Sequence, residues 1–410
     1  MEELMQQYIP RALEKHIIAA SGQFPVVLLT GPRQVGKTTL LMQVKEEARN
    51  YVSLDLMQAR LLAREDPELF LQKYPPPVII DEIQYAPDLL SAIKTVCDIR
   101  QTPGLFWLTG SQQFHLMRGA TESLAGRVAV VNLNGLSERE LRGRIQDSAP
   151  FLPSAPSLTH DDAPYDEPTI FERIFRGSYP AVLSGKITDI NLFYNSYVQT
   201  YLERDIRELS QVGNLEAFYV FLRVAAARSA GIINMSDMAR DCAVSVPTVK
   251  HWLSVLAATS LIYLLRPYAS NLSSRLIKSP KLYFLDTGFC AWLAGYSSPE
   301  TLAAGPLRGA IFETWCVSEV LKSWWHTLRE PPVSYYRDKD GTEIDLIFET
   351  DGALHPLEIK LGASPRKEWI RHFAALARLG RPLKPGAALC LAQDAFPLDR
   401  NNSAIPAGWI

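Results

Sequence analysis

The stretch Phe24-Pro25-Val26-Val27-Leu28-Leu29-Thr30, then Gly31-Pro32-Arg33-Gln34-Val35-Gly36-Lys37-Thr38, then Thr39-Leu40-Leu41-Met42-Gln43-Val44, decides the fold of this chain. The first segment is short and apolar, as a strand buried on both faces of a parallel sheet should be. The last carries helix formers with apolar residues at helical spacing. Between them stands the pattern G-x-x-x-x-G-K-[ST]. Strand, tight glycine loop and helix N-terminus in that order aim backbone N–H groups and the positive end of a helix dipole at a polyphosphate. Lys37 is predicted to reach the β- and γ-phosphates, and the Thr38 hydroxyl to ligate Mg²⁺. Gly31, Pro32, Arg33, Gln34, Val35, Gly36, Lys37, Thr38 and Thr39 form the expected nucleotide-binding set, with ATP and Mg²⁺ as cofactors.

A second signal supports the first. Pro75-Pro76-Pro77 breaks the chain, and Val78-Ile79-Ile80 then makes a short apolar strand ending in Asp81-Glu82. Acidic residues at the carboxyl end of a buried parallel strand face the ligand edge of an open α/β sheet. Asp81 is placed to hold Mg²⁺ through water, and Glu82 to orient and deprotonate the attacking water. The next strand, Leu105-Phe106-Trp107-Leu108, ends in Thr109-Gly110-Ser111. There Ser111 is a candidate γ-phosphate sensor, although the same tripeptide also serves as an ordinary strand-ending turn.

Bulk properties bound the rest. A chain of 410 residues can hold about two to four domains. Its formal net charge of −2 offers nucleic acid no global attraction, so any basic surface must be local. No apolar run approaches the ~18–20 residues of a membrane span. The acidic start Met1-Glu2-Glu3-Leu4 lacks the order of a signal peptide and reads as an amphipathic helix through about Ile18. Cys97, Cys242, Cys290, Cys316 and Cys390 lie singly in apolar surroundings, which predicts reduced core residues in a cytoplasm, with no zinc site.

Strand and helix signals alternate from about 20 to 135, predicting an α/β ATPase-type domain over 1–145. Five prolines within 146–169 mark an extended linker, followed by an aromatic-rich helical stretch to about 213. Over 214–300, three helical segments and two apolar segments flanking a polar hairpin predict a winged helix, with 248–258 as recognition helix. The remainder, 301–410, reads as a long helix followed by a mixed α/β sheet.

Several blocks together resemble one family. They are Gly31-Pro32-Arg33-Gln34-Val35-Gly36-Lys37-Thr38-Thr39, Asp81-Glu82-Ile83-Gln84, Leu108-Thr109-Gly110-Ser111 and Ser123-Leu124-Ala125-Gly126-Arg127-Val128. Tyr201-Leu202-Glu203-Arg204-Asp205-Ile206 and the block from Gly341 to Lys360 extend the likeness. The family is the prokaryotic AAA-type ATPases that carry a DUF4143 C-terminal region. The resemblance implies an AAA-type P-loop ATPase domain, a winged-helix middle and a C-terminal domain similar to the PD-(D/E)XK nucleases. It also implies that Arg127 supplies a charge-stabilising arginine, in its own site or to a neighbouring copy in a homo-oligomer. The alternative is a surface arginine before a strand.

Asp345 followed by Glu358-Ile359-Lys360 fits the nuclease pattern D-x(n)-E-x-K. Glu358 and Lys360 are two apart on a strand and leave one face. Asp345 and Glu358 are predicted to share a divalent metal, Lys360 to polarise its water, and Glu313 to complete the acidic set. The competing reading is a degenerate fold whose charges pair with one another. In the hairpin, Arg266, Arg275, Lys278 and Lys281 make a basic stretch that can neutralise phosphates. These signals predict an ATPase that binds or remodels DNA. A nucleotide-gated switch with a protein-interaction platform and an ATP-regulated nuclease are the alternatives.

Overall fold

The computed structural model describes residues 8–110, 124–146, 149–153, 163–201, 215–268 and 279–410. Five strands, β1 (Val26–Thr30), β2 (Asn50–Ser53), β3 (Val78–Asp81), β4 (Phe106–Gly110) and β5 (Val128–Asn132), form one parallel sheet in the order β2-β3-β4-β1-β5. Alternate residues of β1 serve two different cores, as a period of two requires. Val26 and Leu28 face Phe70, Leu89, Ile93 and Cys97 on helices Pro67–Lys73 and Leu89–Arg100. Val27 and Leu29 face Leu13, Ile17, Leu40 and Leu41. That second core runs without a break into Phe171, Phe175, Tyr194, Phe289 and Trp315, so the sheet and the C-terminal half share one apolar interior.

The middle of the chain holds helices Glu167–Arg176 and Ile190–Tyr201, then Leu215–Ala227, Met235–Asp241 and Val246–Ala258. An antiparallel pair follows, β6 (Ile262–Leu265) with β7 (Lys281–Phe284). Asn234 caps the helix Met235–Asp241; its side chain accepts from the N–H groups of Ser236 and Asp237, as a good N-cap residue does.

Helix Arg308–Trp325 leads into a mixed six-stranded sheet ordered β12-β13-β11-β10-β9-β8. Its strands are β8 (Val333–Arg337), β9 (Glu343–Thr350), β10 (Ala353–Ile359), β11 (Ala387–Cys390), β12 (Phe396–Pro397) and β13 (Ser403–Pro406). Between β10 and β11 the chain forms two 3-10 segments, Lys367–Ile370 and Phe373–Leu379. Ile370, Phe373 and Leu376 are buried at intervals of three, which matches a 3.0-residue turn better than a 3.6-residue one. All five cysteines are buried and free. No helix among the described residues is long and apolar enough to cross a membrane.

Candidate nucleotide site and C-terminal acidic cluster

The loop after β1 needs its glycines for different reasons. A Cβ on Gly31 would lie 2.0 Å from the carbonyl oxygen of Leu133, and φ there is +143°. Gly36 has φ +90° and is the N-cap of helix Lys37–Val44, so it turns the chain onto the helix where an L side chain would be strained. Lys37, only 7% exposed, donates from Nζ to the carbonyls of Gly31 (3.0 Å) and Pro32 (2.8 Å). The ammonium is thereby held across the loop mouth.

Parallel pairing brings the acidic strand end to the same edge. The Thr38 hydroxyl donates to Asp81 Oδ1 at 2.8 Å. The Tyr51 hydroxyl donates to Asp81 Oδ2 at 3.2 Å, and Thr109 also donates to Asp81. Glu82 follows in the left-handed region at φ 60°, its amide N–H bonded to Thr109 Oγ1 at 3.0 Å and its carboxylate accepting from Gln84. A non-glycine residue held there costs about 1–3 kcal/mol, the kind of strain that collects at working sites. Arg33, Gln34, Gly36, Lys37, Thr38, Thr39, Glu82 and Thr200 line an open cleft of about 520 Å³. Gly31, Val35 and Pro32 form the loop behind it.

Beside the cleft is a more apolar hollow of about 560 Å³, lined by Tyr8, Ile9, Arg11, Val35, Pro180, Ala181 and Ile187 among others. A slot with apolar walls continuous with a phosphate loop suits a flat base. Of these residues sequence reading named only Val35, because the others come from segments far from the phosphate loop in the chain. It also missed Thr109 and Tyr51. The register offered a signal for Thr109: Ile80 pairs with Leu108, so the next step sets Asp81 beside Thr109. Ser111, the expected sensor, lies outside the described residues, as do Arg275 and Lys278 of the hairpin.

Arg127 stands at the other end of the sheet. Val26 pairs with Val128 and its N–H bonds to the Arg127 carbonyl, so Arg127 precedes the start of β5. Gly31 is five steps farther along, roughly 17 Å at a strand rise of ~3.3 Å per residue. An arginine side chain does not span that gap. Arg127 instead pairs with Asp98 and donates to the Ala125 carbonyl at 3.0 Å. Service to its own site is therefore ruled out by distance.

A buried arginine ties the phosphate loop to the C-terminal half. Arg11 donates to the carbonyls of Val35 (2.9 Å) and Asn134 (2.6 Å) and pairs with Glu140 at 3.0 Å. Burial opposes the Glu140 charge, yet Arg11 and the N–H groups of Ser137 and Ala12 hold its pKa down at about 2. The same segment meets helix Arg308–Trp325: the Glu138 N–H donates to Glu319 at 2.7 Å, and Lys322 Nζ donates to the Leu136 carbonyl at 3.0 Å.

In the C-terminal domain, the four nuclease-type candidates do come together. Lys360 Nζ is 3.4 Å from Asp345 Oδ2 and bonds to Glu358, and the Ile359 N–H donates to Asp345 at 2.8 Å. Glu313 joins from helix Arg308–Trp325 through Lys281, which is 3.3 Å from Glu313 and 3.8 Å from Asp345. Lys281 corrects the sequence reading. It was expected on a basic hairpin surface, but it is 3% exposed and cannot meet a phosphate. Its place at the start of β7, bridged to Ile232, turns it into the domain contact.

Comparison with known proteins fits this layout. Residues 23–142 match the AAA domain family, 167–300 a domain of unknown function (DUF8612), and 308–410 a domain of unknown function (DUF4143). An uncharacterised Mycobacterium tuberculosis protein, Rv2008c, is 29% identical over 390 residues, covering 94% of this chain and 81% of its own. Mb2031c of Mycobacterium bovis, also uncharacterised, matches to the same extent, 29% over 390 residues. Among solved structures, the Thermotoga maritima RuvB Holliday junction branch migration motor aligns at 17% identity with a TM-score of 0.30. That alignment covers 62% of this chain and 86% of RuvB. A DNA replication initiation factor aligns at 12% identity and TM-score 0.29, over 60% of this chain and 85% of its own.

Proposed function

We propose that this chain, which belongs to the AAA-domain proteins carrying a DUF4143 region, is a Mg²⁺-dependent ATPase whose nucleotide state is passed to its C-terminal half. The observation that carries the proposal is the convergence of Lys37, Thr38 and Glu82 on one cleft, with Asp81 joined to Thr38 at 2.8 Å behind it. Two hard oxygens meeting at the loop mouth are the donor set a magnesium ion takes. Thr38 would ligate it directly and Asp81 through water, and the bound ion would neutralise phosphate charge. Lys37 binds the phosphates. Glu82, aimed by its left-handed backbone and by Thr109, orients the attacking water and accepts its proton. Tyr8, Ile9, Pro180 and Ile187 hold the base.

Arg127 serves the site of a neighbouring copy, which makes the ATPase a homo-oligomer. DNA is the partner this reading favours. Its support is the chain order of three helices followed by the antiparallel pair β6/β7, the order a winged helix has, with Lys250 and His251 exposed on helix Val246–Ala258. The switch reading has its own support, the Arg11 link from the Val35 carbonyl to Glu140 and on to helix Arg308–Trp325. Steady-state ATPase rates measured with and without single-stranded, duplex and branched DNA separate the two. Stimulation by any of them supports a DNA-coupled enzyme, whereas a slow rate indifferent to all three supports the switch.

A further inference from the structure

The Lys281 ammonium sits among carboxylates from three directions. Its Nζ is 2.6 Å from Glu343, 3.3 Å from Glu313 and 3.8 Å from Asp345. Lys360 approaches from the other side, so the two oxygens of Asp345 face two different ammonium groups. The Tyr283 hydroxyl donates to Glu313 at 2.7 Å, and the second oxygen of Glu343 is 3.7 Å from Arg337. Both oxygens of Asp345 and of Glu343, and one each of Glu313 and Glu358, thus face a nitrogen.

We propose that Lys281 occupies the cation position of this nuclease-like cluster, so that the chain carries its counter-charge covalently and binds no divalent metal there. The residues present do not fit a metal. To admit one, the ammonium would have to leave a site where it is 3% exposed, which strands a buried charge. Burial works against the Lys281 charge, but Glu313, Asp345 and Glu343 hold it protonated.

The arrangement has a structural consequence. Lys281 and Tyr283 arrive on β7, so the cluster fastens the β6/β7 hairpin to the C-terminal sheet. The same seam is closed by the Tyr335 hydroxyl donating to the Ser279 carbonyl at 2.6 Å and the Tyr268 N–H donating to the Tyr335 carbonyl at 2.6 Å. An acidic cluster that elsewhere would hold a metal here acts as an interdomain latch. This inference is independent of the ATPase reading.

The test is Mn²⁺ titration of the nucleotide-free full chain, read by calorimetry and by loss of the free-ion paramagnetic resonance signal. Wild type should show no Asp345-dependent binding up to about 1 mM, the weak end of protein cation sites. Lys281→Met should gain a site at least about tenfold tighter than wild type, and that gain should vanish in Lys281→Met/Asp345→Asn. Should Lys281→Met not fold, Lys281→Met/Glu313→Gln removes a carboxylate with the ammonium and should show the same gain. Wild-type binding that Asp345→Asn abolishes overturns the inference. So does a folded Lys281 variant that gains no site.

Discussion

Thr109→Val removes a hydroxyl that bonds to both Asp81 and Glu82. The Thr109 hydroxyl donates to Asp81 and accepts the Glu82 N–H at 3.0 Å, with the side chain fully buried. Valine keeps the shape and deletes both bonds. A bond to a charged group contributes about 1.5–3 kcal/mol, and an amide left unsatisfied costs about 1–3 kcal/mol. Part of this loss appears as stability and part as misplacement of Glu82 in the transition state. If about 2 kcal/mol falls on the transition state, kcat drops about thirtyfold. The Michaelis constant for ATP should change little, since Lys37 and the loop amides are untouched. The assay is steady-state ATP hydrolysis beside a thermal melt of the same preparation. A folded Thr109→Val protein with kcat within about twofold of wild type would refute the reasoning.

Three further outcomes are expected. Lys37→Ala should abolish measurable ATP binding by equilibrium dialysis while the circular dichroism spectrum is retained, because the buried ammonium held at the loop mouth is removed. Arg127→Ala should lower ATPase activity, and mixing it with Lys37→Ala protein should restore part of the rate, since each copy supplies what the other lacks; no recovery would argue against action between copies. Glu140 carries a folded pKa of about 2 against an ordinary 4.5, so its contribution is complete above about pH 4.5 and is lost as pH falls toward 2, about 3 kcal/mol in all. Denaturant melts at about pH 7, 5, 4 and 3 should therefore show Glu140→Gln well below wild type at neutrality and converging with it in acid; parallel curves would rule this out.

The phosphate loop was legible because every residue it needs is local. A strand, two glycines, a lysine and a threonine lie within one short stretch, and backbone geometry does the rest. Asp81-Glu82 was legible for the same reason, as a strand end. Thr109 was not, because its role depends on register: only the pairing of β3 with β4 sets it against Asp81. Arg127 could be found but not placed, since a motif does not say at which end of a parallel strand it falls. Lys281 was misread outright. In the sequence it adjoins Arg275 and Lys278, and only the tertiary fold carries it to Glu313, Glu343 and Asp345. The apolar hollow beside the cleft joins Ile9 to Ile187, which are too far apart in the chain to leave a local pattern.

The most direct measurement is a single-turnover experiment with enzyme in excess over radiolabelled ATP, comparing wild type and Glu82→Gln with and without Mg²⁺. Wild type should release phosphate only when Mg²⁺ is present, and Glu82→Gln should retain intact ATP through a desalting column. Phosphate release by Glu82→Gln at the wild-type rate would contradict this expectation.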